Sequence, residues 1–214
     1  VLIGGDWQGG TNEELRVFDD PHTVLQAQSL KMEKGAIIDA SAIKDGGGGT
    51  VVLWSDVLNP GSFTSVLGEI YAKGGTEGGD GGMIETSGRI LAINQAKVST
   101  IAPSGNTGMW LLDPGNIVVT ESGTTDSDFL PSFPVGGDTN IHPTSIVTAL
   151  GSSNITIQTG TGGYDLTVSS PISYLGSNNL TLEAGQDLIV NSAIDLDAGD
   201  LTLISGRDLT VNAN

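Results

Sequence analysis

Cysteine is absent from the 214-residue sequence, and basic residues are scarce. The lack of cysteine excludes disulfide bonds, thiolate metal sites and a thiol nucleophile. Eight Lys and Arg residues stand against 25 Asp and Glu residues, which gives a formal charge of −17. Because a surface of that sign repels phosphate backbones and anionic lipid headgroups, nucleic acids and membrane surfaces are not expected partners.

Long hydrophobic runs are missing, and aromatic residues are rare. No run of about 18 apolar residues occurs, so we expect no membrane insertion. The sequence begins at Val1 without a recognisable signal peptide, and we expect it to be a piece of a larger mature protein. Aromatics make up 5% of the residues and glycine occurs 32 times. This composition favours short strands joined by tight turns, and therefore an all-β class.

Three strand-like elements repeat in the last third of the chain. The first is NITIQTG, NLTLEAG and DLTLISG, starting at Asn154, Asn179 and Asp200. The second is GYDLTV, GQDLIV and GRDLTV, starting at Gly163, Gly185 and Gly206. The third lies around Ile172 and Ile194. Three strands in a period of about 21 residues predict a right-handed parallel β-helix, a solenoid with three strands per coil.

The same organisation, with longer turns, extends through the first half. The segments GTVVLWSD, GMIETSG and GMWLLD begin at Gly49, Gly82 and Gly108, at offsets of 33 and 26 (82 − 49 and 108 − 82). Each is preceded by a shorter strand around Ile38, Ile70 or Val98. The glycine strings at 46–49 and 74–82 are not followed by Lys-Ser or Lys-Thr, so we interpret them as wide corners that need positive φ rather than as phosphate cradles.

Alternation within the repeats assigns the faces of each strand. Leu180 and Leu182 should point inwards and Thr181 outwards. Polar residues at the corners should then form two ladders, one of Asp165, Asp187 and Asp208 and the other of Asn154, Asn179 and Asp200. We interpret both ladders as turn chemistry, with a catalytic or calcium-binding Asp column as the alternative.

Other polar residues offer weaker signals. Asp195 and Asp197 both face outwards and could serve glycosidic cleavage, although an acidic turn is the simpler interpretation. His22 and His142 lack the spacing of metal ligands. Trp7, Trp54 and Trp110 are expected to fill the core or pack at corners. We therefore predict no catalytic residue, no metal site and no cofactor.

Residues 120–150 do not repeat and divide the chain into three parts. We predict coils with long glycine-rich turns over 1–119, an extra-helical excursion over 120–150 and regular coils over 151–214, all in one elongated domain. Within the excursion, PTSIVTAL from Pro143 predicts a short helix. Its acidic opening contains the candidate ligand contacts, Phe129, Phe133, Asp126 and Asp128. The alternative is that the two Phe side chains pin the loop onto the coils.

Several strings in this order resemble a known family. They are GGDWQGG from Gly4, GGTVVLWSD from Gly48, GEIYAKGGTEGGDGGMIETSG from Gly68, TGMWLLDPGNIVV from Thr107 and IHPTSIVTALGSSNITIQTG from Ile141. Together they resemble the passenger repeats of filamentous-haemagglutinin-type exoproteins, the large adhesins that Gram-negative bacteria export by two-partner secretion. The secretion domain of that family carries Asn-Pro-Asn motifs, whereas this chain has only Asn59-Pro60-Gly61, so we expect it to follow that domain.

The resemblance implies a right-handed parallel β-helix on the outer surface of a Gram-negative cell. It also implies export through an outer-membrane β-barrel transporter, by way of a secretion domain outside this fragment. The expected role is that of a rod and display scaffold in adhesion, with an unidentified host protein or glycan, or a neighbouring cell, as partner.

Two other functions remain open. A polysaccharide lyase or hydrolase can be built on the same fold, but it needs clustered carboxylates with Lys or Arg to hold an acidic sugar. Eight basic residues spread over the chain do not favour such a groove, so we expect no enzyme. The second alternative is a pure spacer that binds nothing. Unpaired strands at the ends of a stack also predict end-to-end self-association.

Overall fold

The computed structural model describes residues 1–20, 24–122, 137–160 and 162–213. One α-helix, α1, covers Pro143–Leu150, and a short 3-10 helix covers Trp7–Gly10. No helix in these ranges is long and apolar enough to cross a membrane. The strands are, in chain order, β1 Leu2–Ile3, β2 Ser29–Met32, β3 Ile37–Asp39, β4 Thr50–Trp54, β5 Phe63–Val66, β6 Glu69–Tyr71, β7 Met83–Gly88, β8 Ile90–Ala92, β9 Lys97–Ser99, β10 Met109–Pro114, β11 Ile117–Val119, β12 Thr139–Ile141, β13 Asn154–Gln158, β14 Leu166–Val168, β15 Ile172–Tyr174, β16 Leu180–Ala184, β17 Leu188–Val190, β18 Ile194–Leu196, β19 Leu201–Ser205 and β20 Leu209–Val211.

The fold is mostly β, and the strands form parallel sheets. The longest sheet has seven strands in the order β1-β4-β7-β10-β13-β16-β19. A five-stranded sheet has the order β12-β11-β14-β17-β20, and smaller sheets are β2-β5-β8, β3-β6-β9 and β15-β18. Neighbours in a sheet are therefore mostly separated by two other strands in the sequence, as an all-β parallel solenoid requires.

The strand register follows the repeats in the sequence. Thr50 pairs with Met83 and Met83 with Met109, which reproduces the predicted offsets of 33 and 26 (83 − 50 and 109 − 83). In the five-stranded sheet Leu166 pairs with Leu188 and Leu188 with Leu209. These pairings confirm the alignment of the repeated segments, because a one-residue slip would turn every buried side chain to the opposite face.

The core is a continuous apolar cluster between the sheets. Leu180 and Leu182 are fully buried, whereas the intervening Thr181 is half-buried, which confirms the predicted faces of β16. Trp110 belongs to the same cluster, and its indole N–H donates to the hydroxyl of Thr86 over 3.0 Å.

A second apolar cluster lies on the opposite, outward face of the seven-stranded sheet. It contains Trp7, Val52, Trp54, Val57 and Leu111. Strands β4, β7 and β10 are consequently buried on both faces, and the alternation that marks β13 and β16 is lost. The 3-10 helix and the residues after it cover this face, so β4 and β10 are mostly apolar, whereas β7 buries the polar residues Glu85, Thr86 and Ser87.

The second half of 120–150 is integrated into the core. The sequence favours an excursion over the whole segment, yet β12 pairs with β11, and Ile146 and Leu150 of α1 belong to the main apolar cluster. The helix predicted at Pro143 is confirmed, with the side chain of His142 accepting a hydrogen bond at its N-terminus. Helix α1 packs against β9, β13 and β15. It takes the place that a strand occupies in the neighbouring repeats.

The glycine strings serve a different purpose from the one that we expected. Within 46–49 and 74–82, only Gly46 and Gly79 adopt positive φ. The other glycines mainly permit close packing between successive repeats. A Cβ on Gly82 would lie 2.1 Å from the carbonyl oxygen of Gly49, and one on Gly48 would lie 2.1 Å from that of Ala72. The expectation of positive φ is therefore wrong for most of these residues, because two backbones meet where a side chain would stand.

Candidate binding site

Residues 4–20, which include the 3-10 helix, form a cover over the outward face of the seven-stranded sheet, here called the N-terminal cover. One buried carboxylate holds this cover together. Asp6 is 2% exposed and accepts hydrogen bonds from the backbone N–H groups of Trp7, Val17 and Phe18, at 2.7 to 3.0 Å. These bonds join the start of the 3-10 helix to the chain eleven and twelve residues later. A carboxylate that accepts several backbone hydrogens in this way fixes the fold of the loop.

Trp54 forms the floor beneath this cover. A Cβ on Gly5 would lie 2.3 Å from its Cδ1, and a Cβ on Gly9 would lie 2.7 Å from its Cζ2. The glycines of the GGDWQGG string therefore let the backbone lie directly on the indole ring. The indole N–H donates to Oε1 of Gln26 over 3.2 Å, which ties the segment before β2 to β4.

Gln8 joins the cover to the sheet in a conformation that is unusual for its residue type. Its φ of 48° and ψ of 42° lie in the left-handed region, and it is the one described non-glycine residue with positive φ. Its N–H donates to Oε2 of Glu85 over 2.9 Å, and its Nε2 donates to Oε1 of Gln158 over 3.2 Å. Strained residues of this kind persist where the surroundings hold them, often at binding sites.

Glu85 is fully buried on the outward face of β7. Its Oε1 accepts the hydroxyl of Ser87 over 2.8 Å, and its Oε2 accepts the N–H of Gln8. Burial, the largest cause, raises the pKa of Glu85 from 4.5 to about 8, against the two hydrogen bonds and with the help of the charges on Asp113 and Asp6. Glu85 is therefore mainly protonated at neutral pH.

A cavity of about 210 Å³ opens beside these residues. Its wall is built by the cover, by the loop after β4 and by the ends of β10 and β13. The lining residues are Gln8, Gly9, Thr11, Gln26, Trp54, Asp56, Val57, Leu58, Asp113, Gln158 and Gly160. The wall thus combines an apolar patch with amides and carboxyl groups, the mixture that small-molecule sites use.

Asp113 is the most unusual group in the cavity wall. It is 3% exposed, and its Oδ1 has no hydrogen-bond partner among the described residues. Burial raises the pKa of Asp113 to about 7, and the carboxylate of Glu183 contributes to the rise. A buried acceptor without a donor costs roughly 1–3 kcal/mol. A ligand that donates a hydrogen bond to this oxygen would remove that cost.

The six ladder residues lie at two corners of the stack and bond to one another. Oδ1 of Asp165 accepts the N–H of Asp187 over 3.0 Å, and Oδ1 of Asp187 accepts that of Asp208 over 3.3 Å. In the other ladder, Oδ1 of Asn154 accepts the N–H of Asn179 over 2.9 Å, and Oδ1 of Asn179 accepts that of Asp200 over 2.8 Å. Each of these side-chain oxygens thus accepts a hydrogen bond from a backbone N–H group of the next repeat.

Other sequence-selected residues lie apart from the cavity. Phe129, Phe133, Asp126, Asp128 and His22 fall outside the described residues. Asp195 and Asp197 are exposed near β18, and His142 caps α1. No group of three or more His, Asp or Glu side chains within the described ranges is arranged to hold a metal ion.

The sequence patterns did not predict the cavity, the raised pKa of Asp113 in its wall or that of the buried Glu85 outside it. A signal was present, because TVVLW in β4 and MWLLD in β10 do not alternate and so indicate a covered outer face. A comparison with known protein families finds no match, and no curated protein matches the chain significantly.

Proposed function

We propose that the chain forms a right-handed parallel β-helix with three strands per coil. Support comes from the parallel pairing of each strand with its counterpart one repeat along the chain, through the seven strands of the longest sheet. Handedness follows from the general preference of parallel crossovers. In this arrangement β12 pairs with β11 on the side opposite β14.

The proposed function is that of a rod and display scaffold in a filamentous-haemagglutinin-type adhesin. Such a protein would be exported through an outer-membrane β-barrel transporter and would present this segment on the outer surface of a Gram-negative cell. The expected partner is a host protein, a glycan or a neighbouring cell. One observation carries the binding role: the outward face of the longest sheet contains a formed cavity with an unpartnered buried acceptor on Asp113.

Catalysis is not part of the proposal. None of the described residues that line the cavity is basic, and an acidic polysaccharide would need such a side chain to hold it. Glu85, which has the more strongly raised pKa, does not line the cavity. The lyase or hydrolase alternative is therefore less well supported than binding.

Binding by the purified chain tests the display function. The chain is attached to beads and presented to a glycan array and to epithelial and bacterial cells, with the heat-unfolded chain as control. We expect saturable binding to at least one of these surfaces. Binding to none would favour the spacer alternative, and turnover of pectin or alginate in a parallel assay would favour the enzyme.

The candidate contacts in the acidic opening of 120–150 need a separate variant. Phe129→Ser combined with Phe133→Ser removes both apolar side chains, and Asp126→Asn combined with Asp128→Asn removes the charges. Loss of bead attachment in either variant would support a contact there, whereas unchanged attachment in both would assign binding to another surface.

A further inference from the structure

We propose that the cavity beside Asp113 binds one pyranose ring of a neutral glycan, with the ring hydroxyls on Asp113 and Gln158 and an apolar face towards Val57 and Leu58. The choice of a glycan rests on the proposed display function, whereas the existence of a small-ligand site rests on the cavity alone.

The unpartnered oxygen of Asp113 requires a hydrogen-bond donor. The side chain is buried to 97% (100 − 3), and it lines the cavity. Buried polar atoms in native proteins are nearly always satisfied, so an orphaned acceptor on a residue that lines a cavity indicates a missing donor. A ligand hydroxyl supplies such a donor without adding a charge.

Gln158 supplies the complementary group next to Asp113. Leu112 pairs with Ile157 across β10 and β13, so Asp113 and Gln158 are the next residues along adjacent strands, on the outward face. Outward side chains at such positions lie about 5 Å apart. Oε1 of Gln158 already accepts from Gln8, which leaves its Nε2 as a donor. An acceptor and a donor at this spacing match two neighbouring hydroxyls of a sugar, one donating and one accepting.

Charge and shape narrow the ligand class further. The described lining carries Asp56 and Asp113 and no basic residue, so an anionic sugar or a phosphate would be repelled. An alkylammonium ion would satisfy the carboxyls but would leave the amide donor of Gln158 unpaired. A volume of about 210 Å³ is small beside ligand pockets of about 300–1,000 Å³, which favours one ring over a peptide or an oligosaccharide.

The other wall of the cavity is apolar. Leu58 is 70% exposed and offers most of this apolar surface, next to Val57 at 9% exposure, whereas Trp54 lies beneath the backbone of Gly5 and Gly9. A pyranose has a face of C–H groups opposite its hydroxyl edge, and aromatic and aliphatic side chains provide its usual support. The cavity therefore offers both kinds of contact on adjoining walls.

Titration of the folded 214-residue chain with single sugars tests the site. The probes are the methyl glycosides of glucose, galactose, mannose and N-acetylglucosamine, with galacturonate as the anionic probe and 1,6-diaminohexane as the cationic probe. Amide NMR signals of Gly9, Gly160 and the Trp54 indole report on the cavity wall. We expect at least one neutral glycoside to shift these signals in a saturable manner at millimolar concentrations, and neither charged probe to do so.

Two variants locate the binding. Asp113→Leu removes the acceptor at similar volume and should weaken glycoside binding about tenfold, which corresponds to about 1.4 kcal/mol. Gln158→Met removes the donor and provides a second test if Asp113→Leu does not fold. Asp195→Asn is the matched control, because it removes one exposed carboxylate on β18 and should leave the affinity unchanged.

Each remaining outcome decides the inference. Saturation by the diamine but by no glycoside, or equal affinity in wild type and both cavity variants, would overturn it. A chain that attaches to cells but leaves the cavity signals unchanged with every glycoside keeps the display function and loses the pyranose site. Glycoside binding without cell attachment keeps the pyranose site and loses the display function.

Discussion

At the scale of single residues, Glu85 and Asp113 determine how the molecule responds to pH. Both are buried on the outward face of the longest sheet, and neither forms an ion pair with a described residue. Burial holds the pKa of Glu85 at about 8 and that of Asp113 at about 7. Native carboxyls that keep their protons make folding favourable in acid and less favourable in base.

Stability should therefore fall as pH rises. In the unfolded chain Glu85 releases its proton near pH 4.5, whereas in the folded chain it does so near pH 8. Its contribution is complete below the lower value and is lost as pH rises through the upper one. Since each pKa unit corresponds to about 1.4 kcal/mol, the loss amounts to several kcal/mol. Urea unfolding at a series of pH values from acid to pH 9 measures it.

The Glu85→Gln variant isolates this effect. Gln cannot ionise, so the decline between about pH 4.5 and pH 8 should become shallower, and the part that remains should come from Asp113. Asp195→Asn, which changes an exposed carboxylate, should keep the wild-type profile. A wild-type profile that rises from pH 5 to pH 8 would contradict the raised pKa values.

At the scale of elements, the N-terminal cover depends on Asp6. Asp6→Ala leaves the N–H groups of Trp7, Val17 and Phe18 without their acceptor. We expect a loss of about 1–3 kcal/mol in the free energy of unfolding and faster proteolysis within residues 6–20. Limited proteolysis with mass spectrometry locates the cuts. Glu13→Ala, an exposed change in the same segment, should leave the cutting rate unchanged.

Helix α1 is a second element whose role can be measured. Ile146 is 1% exposed and packs in the main cluster between the sheets. Ile146→Ala should lower the free energy of unfolding by about 2–5 kcal/mol, because it leaves a cavity in the core. Thr148→Ala, at an exposed position of the same helix, should cost less than about 1 kcal/mol. Equal effects of the two changes would show that α1 is peripheral.

At the scale of the whole molecule, the last strands present apolar side chains. β19 and β20 are edge strands of their sheets, and Leu201, Leu209 and Val211 are 38%, 47% and 56% exposed. Unpaired edges with exposed apolar residues promote association between chains. We predict concentration-dependent end-to-end association, measured by sedimentation velocity.

Charge at the edge should suppress this association. Leu209→Lys combined with Val211→Lys places two cations on β20 and should shift the chain to the monomer. Thr181→Lys adds a cation to the outward face of β16, which is not an edge strand, and serves as the control, with association expected to persist. Monomeric wild-type protein at high concentration would contradict the prediction.

Repetition explains why much of the fold was predictable. The alignment of Gly49, Gly82 and Gly108 predicted the register of β4, β7 and β10, and the alternation in NLTLEAG predicted the faces of β16. The short helix after His142 was readable from Pro143 and its apolar spacing. In each case the information lies within a few residues or recurs after one period, because a stacked strand meets its counterpart in the next repeat.

The cavity depends on contacts between residues that are not part of the sequence repeat. Gln8 meets Glu85 across 77 positions and Gln158 across 150, and the first contact buries a carboxyl that the pattern of β7 would place towards solvent. Burial shifts a pKa only when a particular segment covers a particular face, and one non-repeating cover does so here. Local pattern thus sufficed for the strands and their register, whereas the covered outer face, the raised pKa of Glu85 and the unpartnered Oδ1 of Asp113 arose from distant segments meeting once.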